Sequence, residues 1–112
     1  MTGLDAGAEV LRRLWRALAE VEDPEVPVSV VDMGLVVALD YDPANQVVRL
    51  KITYTAMGCP AMDMIQDDIR ARLLREPQVG RVDVEVVWDP VWTTGRLSQS
   101  ARETMRELGL AV

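Results

Sequence analysis

One cysteine and a few carboxylates carry most of the chemistry this sequence could perform. Cys59 lies in Gly58-Cys59-Pro60, immediately before a stretch of helix-periodic apolar residues. Proline is favoured at the first position of a helix, so Cys59 falls at the N-cap. There the free backbone N–H groups and the dipole favour an anion, and a thiol can ionise well below its free pKa of ~8.5. Gly58 permits a sharp turn and a close ligand approach. Such a thiolate suits a soft metal or attack on an electrophile. The bland alternative is a small buried hydrophobe at a strand–helix turn. The residues alone leave both open.

The second candidate set is acidic. Asp23 and Glu25 stand in Asp23-Pro24-Glu25-Val26-Pro27, where two prolines fix the direction of the chain. Carboxylates held this way suit metal ligation or a hydrogen bond to a mobile thiol loop; plain turn chemistry is the alternative, and it is the preferred reading for Asp32. Thr53 and Thr55 could flank Cys59 or be ordinary strand residues. Trp88 reads as core. Trp92, followed by Thr93 in a proline-bounded loop, is either a partner contact or a lid over the sheet edge.

Absences narrow the classes. The chain has no histidine, which removes a Ser-His-Asp triad, a Cys-His pair and any His-ligated metal site. With Cys 1 there is no internal disulfide, and no four-cysteine zinc or iron–sulfur cage within one chain. The net charge is −6, with scattered Lys and Arg, which argues against nucleic acid and against an anionic membrane surface. No apolar run approaches the ~20 residues of a membrane span, and the N-terminus lacks a signal-peptide pattern. These features favour the cytoplasm. The 112 residues suit a single domain, 1–112, able to bury a core without staples.

The elements that must position Cys59 follow from periodicity. Leu11, Leu14, Trp15, Leu18 and Val21 predict a first helix, capped by Asp5 and ended by Pro24, with Trp15 in the core. Leu35 to Tyr41 and Val47 to Thr55 predict a hairpin about the turn formers Asp42 to Gln46. In the second strand Val48, Leu50, Ile52 and Tyr54 alternate with Arg49, Lys51, Thr53 and Thr55, so one face is buried and the other exposed or at a subunit contact. Pro60 to Arg75 predicts a helix with Met62, Ile65, Ile69 and Leu73 inside and acids preceding bases. Val82, Val84, Val86 and Trp88 predict a third strand, parallel to the second through the crossover. Ser98 caps a last helix that Gly109 closes, with Ala101, Met105 and Leu108 inward. The expected fold is α+β: two layers, helices on one face of a three-stranded mixed sheet, in the order helix–hairpin–helix–strand–helix.

Four stretches in this order carry a resemblance: Asp23-Pro24-Glu25-Val26-Pro27, Asp32-Met33-Gly34-Leu35, Gly58-Cys59-Pro60 and Asp89-Pro90-Val91-Trp92-Thr93. Together they resemble the small iron–sulfur cluster assembly domain of SufT-type maturation factors, PaaD proteins and a eukaryotic cytosolic targeting subunit. Pro90 through Thr94, with Ser98 and Arg102, is most similar to the PaaD branch. The resemblance implies a compact α+β fold and a non-enzymatic role: assembling or delivering iron–sulfur clusters, or metal centres, to client apo-proteins alongside other assembly factors. It maps the family's cysteine onto Cys59 and its acidic motif onto Asp23 and Glu25, with Gly58, Pro60 and Thr55 in support. The implied cargo is iron or a transient cluster, with nothing tightly bound. One thiolate cannot hold a cluster; a homodimer would offer two. PaaD proteins carry a cysteine-rich extension that this sequence, ending at Val112, lacks, which favours a general maturation factor over an accessory protein for a phenylacetyl-CoA oxygenase. A thiol enzyme with Cys59 as nucleophile and a pure interaction module are the competing readings.

Overall fold

The computed structural model describes residues 3–24, 26–55 and 61–109. Among these the elements are α1 (Gly3–Leu18), β1 (Val36–Asp42), β2 (Val47–Ile52), α2 (Ala61–Leu74), β3 (Arg81–Val86), a short 3-10 turn (Thr94–Arg96) and α3 (Gln99–Glu107). The expected α+β class and element order hold. The sheet order is β1-β2-β3, with β1 antiparallel and β3 parallel to β2. Asp42 organises the hairpin turn: its carboxylate accepts from the Ala44 N–H at 3.0 Å and the Asn45 side chain at 2.8 Å.

Period decides the faces. Val48, Leu50, Ile52 and Tyr54 all point into the core, where they meet Val10, Leu14 and Leu18 of α1 and Ile65, Ile69 and Leu73 of α2. Arg49 and Lys51 are exposed and, with Ala38, Asp40, Asp83 and Glu85, form the sheet's open face. α1 packs on β1 and α2 on β3. A clasp joins the two helices: Arg72 donates to Glu20 at 2.8 Å and to Glu76 at 2.7 Å. The hydrogen bond from Arg72 holds the Glu20 carboxyl below its ordinary range.

Several expectations need correction. Asp5 lies inside α1, which starts at Gly3, so it is not the N-cap. The helix stops at Leu18, well before Pro24, because Glu20 and Val21 donate three residues back to Ala17 and Leu18 and tighten the last turn. Trp15 is 40% exposed, since Leu14 and Leu18 already fill that face of α1. Trp88 is also 40% exposed; it lies past the end of β3 and leans on Tyr54, ring centroids 6.3 Å apart. Leu108 is exposed, whereas Ala101 and Met105 are buried as expected. Ser98 does cap α3, its hydroxyl accepting from the Ala101 N–H at 3.0 Å, and Gly109 follows at φ 83°. β2 ends at Ile52 rather than Thr55. Thr53, expected on the exposed face, is fully buried.

Candidate functional site

The strand directions gather the relevant loops. The start of β1 and the carboxyl ends of β2 and β3 lie at the same end of the sheet. That end of parallel strands is where open α/β sheets bind ligands. Three segments meet there: the turn before β1, the segment after β2 that leads to Cys59, and the segment after β3.

The turn before β1 is built by its own side chains. The Asp32 N–H donates to the Ser29 hydroxyl at 3.0 Å, and that hydroxyl donates to the Asp32 carboxylate at 3.2 Å. The Met33 N–H returns to the Ser29 carbonyl at 2.9 Å. Gly34 then turns the chain at φ 73°. A Cβ there would fall on the Arg96 carbonyl oxygen and 2.6 Å from the Arg96 Cβ. Glycine is therefore required twice, for conformation and for close approach. Asp32 thus behaves as the turn former the sequence suggests.

The segment after β3 clamps this turn from outside. The Asp89–Pro90 bond is cis. The Trp92 Nε1–H donates to the Met33 carbonyl at 2.7 Å. The Arg96 Nε–H donates to the Gly34 carbonyl at 2.7 Å, and the Ser98 N–H to the Asp32 carbonyl at 2.9 Å. Trp92 is half-buried in the geometry of a lid, while Thr93 beside it is exposed. Two of the four motifs, about sixty positions apart, are thus one unit. Periodicity alone missed Arg96: its role is a long-range bond to a backbone carbonyl, which leaves no repeat in the sequence.

The segment after β2 completes the cluster. The Thr53 N–H donates to the Leu35 carbonyl at 2.8 Å, joining it to the turn. The Tyr54 hydroxyl donates to the Met62 carbonyl at 3.2 Å, tying it to the first turn of α2. Thr55 is exposed. Thr53 is 0% exposed, and its Oγ1 has no hydrogen-bond partner among the described residues. Such an orphan costs about 1–3 kcal/mol and calls for an explanation. Gly58, Cys59 and Pro60 lie outside the described residues, so the expected N-cap position of the thiol does too. Glu25 likewise lies outside them.

Asp23 sits in a closed loop. Its N–H donates to the Val28 carbonyl at 2.9 Å, and Glu22 pairs with Ser29. Glu20 meets Arg72, whereas Asp23 shares a surface hollow with Asp68. The chain from Glu20 to Asp23 therefore runs along α2 toward its N-terminus. Asp68 lies about 10 Å along the axis from Ala61 at the helical rise. Among the described residues no three metal-ligating side chains cluster, and no helix is long and apolar enough to cross a membrane.

Known proteins share this chain's sequence pattern and fold. Residues 11–86 match the family model described as iron–sulfur cluster assembly protein. The chain is 37% identical over 86 residues to the Fe–S protein maturation auxiliary factor YitW of Bacillus subtilis, covering 77% of this chain and 83% of that protein. It is 33% identical over 104 residues to an Escherichia coli protein named as one component of a 1,2-phenylacetyl-CoA epoxidase, covering 90% of this chain and 60% of that one. Among solved structures, a Bacillus anthracis domain of unknown function, DUF59, superposes with TM-score 0.84 at 31% identity, covering 97% of this chain and 100% of that one.

Proposed function

This chain belongs to the iron–sulfur cluster assembly protein family, and on that footing we propose that it is an accessory factor that helps assemble or deliver iron–sulfur clusters to client proteins. The role is non-catalytic and cytoplasmic, with apo-clients and other assembly factors as partners. Cys59 is the ligand to the iron or cluster, which is cargo and not a resident cofactor. Asp23, Glu25, Gly58, Pro60 and Thr55 support it, and Trp92 and Thr93 border the partner's approach.

The observation that carries this reading is the convergence of the segments 32–35, 53–55 and 92–98 at one end of the sheet. In sequence Cys59 follows Thr55 of that cluster by four residues, and within the cluster the Thr53 hydroxyl is buried with no partner among the described residues. A single thiolate leaves most of a cluster's coordination to others. That suits hand-off, because a client's thiolates complete the shell as the cargo moves. The relatives named as maturation auxiliary factors support the general maturation role, with a phenylacetyl-CoA oxygenase client as the second reading.

Anaerobic titration with ferrous iron and sulfide tests the proposal. Visible charge-transfer absorption should develop with the wild-type chain and be lost in Cys59→Ser. Equal absorption in both proteins would remove Cys59 from the site. Rapid alkylation of Cys59 without any iron binding would point instead to a thiol nucleophile.

A further inference from the structure

The two edges of the sheet are treated differently. On β1 the register shifts between Val36 and Ala38, and Arg96 reaches round to the carbonyls of Gly34 and Val36. Bulges and covered backbone groups are how proteins close an edge against pairing. The β3 edge has no such device among the described residues. Gly80 and Arg81 donate to Gln46 and Val87 donates to Ile52, so the odd-numbered residues of β3 bond inward to β2. By strand alternation the N–H and C=O groups of Val82, Val84 and Val86 face outward. None of these groups has a hydrogen-bond partner among the described residues.

We propose that this edge is the interface of a two-fold homodimer, in which β3 pairs antiparallel with β3 of a second copy to make one six-stranded sheet. Charge complementarity selects the second copy. With the two-fold axis at Asp83, Val82 faces the partner's Val84 in hydrogen-bonded positions. On the open face Arg81 then faces the partner's Glu85, twice. The single like-charge meeting is at Asp83, whose carboxylate Arg81 already holds at 2.8 Å.

The helix beneath is complementary in the same sense. Arg72 points to Glu20, just past the end of α1, so the opposite flank of α2 faces out beyond β3. That flank carries Asp63, Asp67, Arg70 and Leu74, an i, i+4, i+7, i+11 stripe. Neither acid nor Arg70 has an ion pair among the described residues, and Leu74 is an exposed large apolar side chain. A two-fold mate runs antiparallel, setting the acidic half of one helix against the basic half of the other. The axis also sends the carboxyl ends of the two β2 strands to opposite ends of the dimer.

Sedimentation of the full chain across a wide concentration range tests this. A monomer–dimer equilibrium is expected. Arg81→Glu and Glu85→Arg should each weaken it about tenfold (~1.4 kcal/mol), and the double reversal should restore it. Val84→Lys, which forces a charge inward at the edge, should give a monomer with an unchanged far-ultraviolet spectrum. A chain monomeric at every concentration overturns the proposal. So does a dimer indifferent to the single reversals, or one that the double reversal fails to restore.

Discussion

Replacing Gly34 with alanine separates two costs that the structure superimposes. The first is conformational: φ is 73°, where an L-residue is disfavoured by about 1–2 kcal/mol. The second is steric. The new methyl would fall on the Arg96 carbonyl and 2.6 Å from its Cβ, so the segment 92–98 must move away. That movement endangers the bonds from Trp92 to Met33, Arg96 to Gly34 and Ser98 to Asp32. Each contributes a net ~0.5–1.5 kcal/mol. The expected loss for Gly34→Ala is therefore about 2–4 kcal/mol. Gly109 supplies the control: its φ is 83°, yet a Cβ there meets nothing within 4 Å. Gly109→Ala should cost only the conformational part, about 1–2 kcal/mol. Urea unfolding of both variants measures the difference, and faster amide exchange at Ser98 would show that the clamp has opened. Equal losses for the two substitutions would refute the argument that Gly34 is fixed by its neighbour as well as by its torsion.

Two further perturbations probe the site and its support. Thr53→Val swaps an unsatisfied buried hydroxyl for a methyl of like shape, so stability should be unchanged or rise by about 1 kcal/mol in urea unfolding. If that hydroxyl serves the cargo as a hydrogen-bond donor, the same variant should release iron faster; destabilisation would instead reveal a partner within the protein. Glu20→Gln should flatten part of the acid limb of stability. The Glu20 carboxyl is held below its ordinary value by Arg72, so its contribution is present above the ordinary carboxylate range and is lost as pH falls through the lowered value. An acid limb identical in wild type and Glu20→Gln, followed by thermal melting at stepped pH, would remove Glu20 from that account.

Much of the fold is legible because period and burial coincide. The alternation through β2 places Val48, Leu50 and Ile52 inside, and the helical stripe of α2 places Ile65, Ile69 and Leu73 there. Trp15 and Trp88 are misread because hydrophobicity says nothing of whether space remains: aliphatic neighbours have filled the face of α1, and β3 has ended before Trp88. Thr53 is misread for a related reason. Alternation assigns a face, but past Ile52 the strand has ended and the turn at Leu35 takes the Thr53 N–H, so the assigned face is no longer the solvent face. The union of the Met33 turn with Trp92 and Arg96 depends on carbonyl acceptors, which every residue type offers. No side-chain pattern could announce it.

That choice of acceptors bears on how the site can vary. The family match ends at Val86, and the clamp lies beyond it. Yet the clamp closes on Met33 and Gly34, inside the matched region. Because Trp92 and Arg96 grip main-chain oxygens, they make no demand on the side chains of the turn they hold. Other donors of suitable reach could replace them without altering its shape. The demand falls instead on Gly34, the one position where the clamp's own backbone comes too close for a side chain. The steric demand is thus concentrated in the turn beside the carboxyl end of β2. In the outer segment Thr93 and Val91 are exposed, so substitutions there leave the clamp's bonds in place.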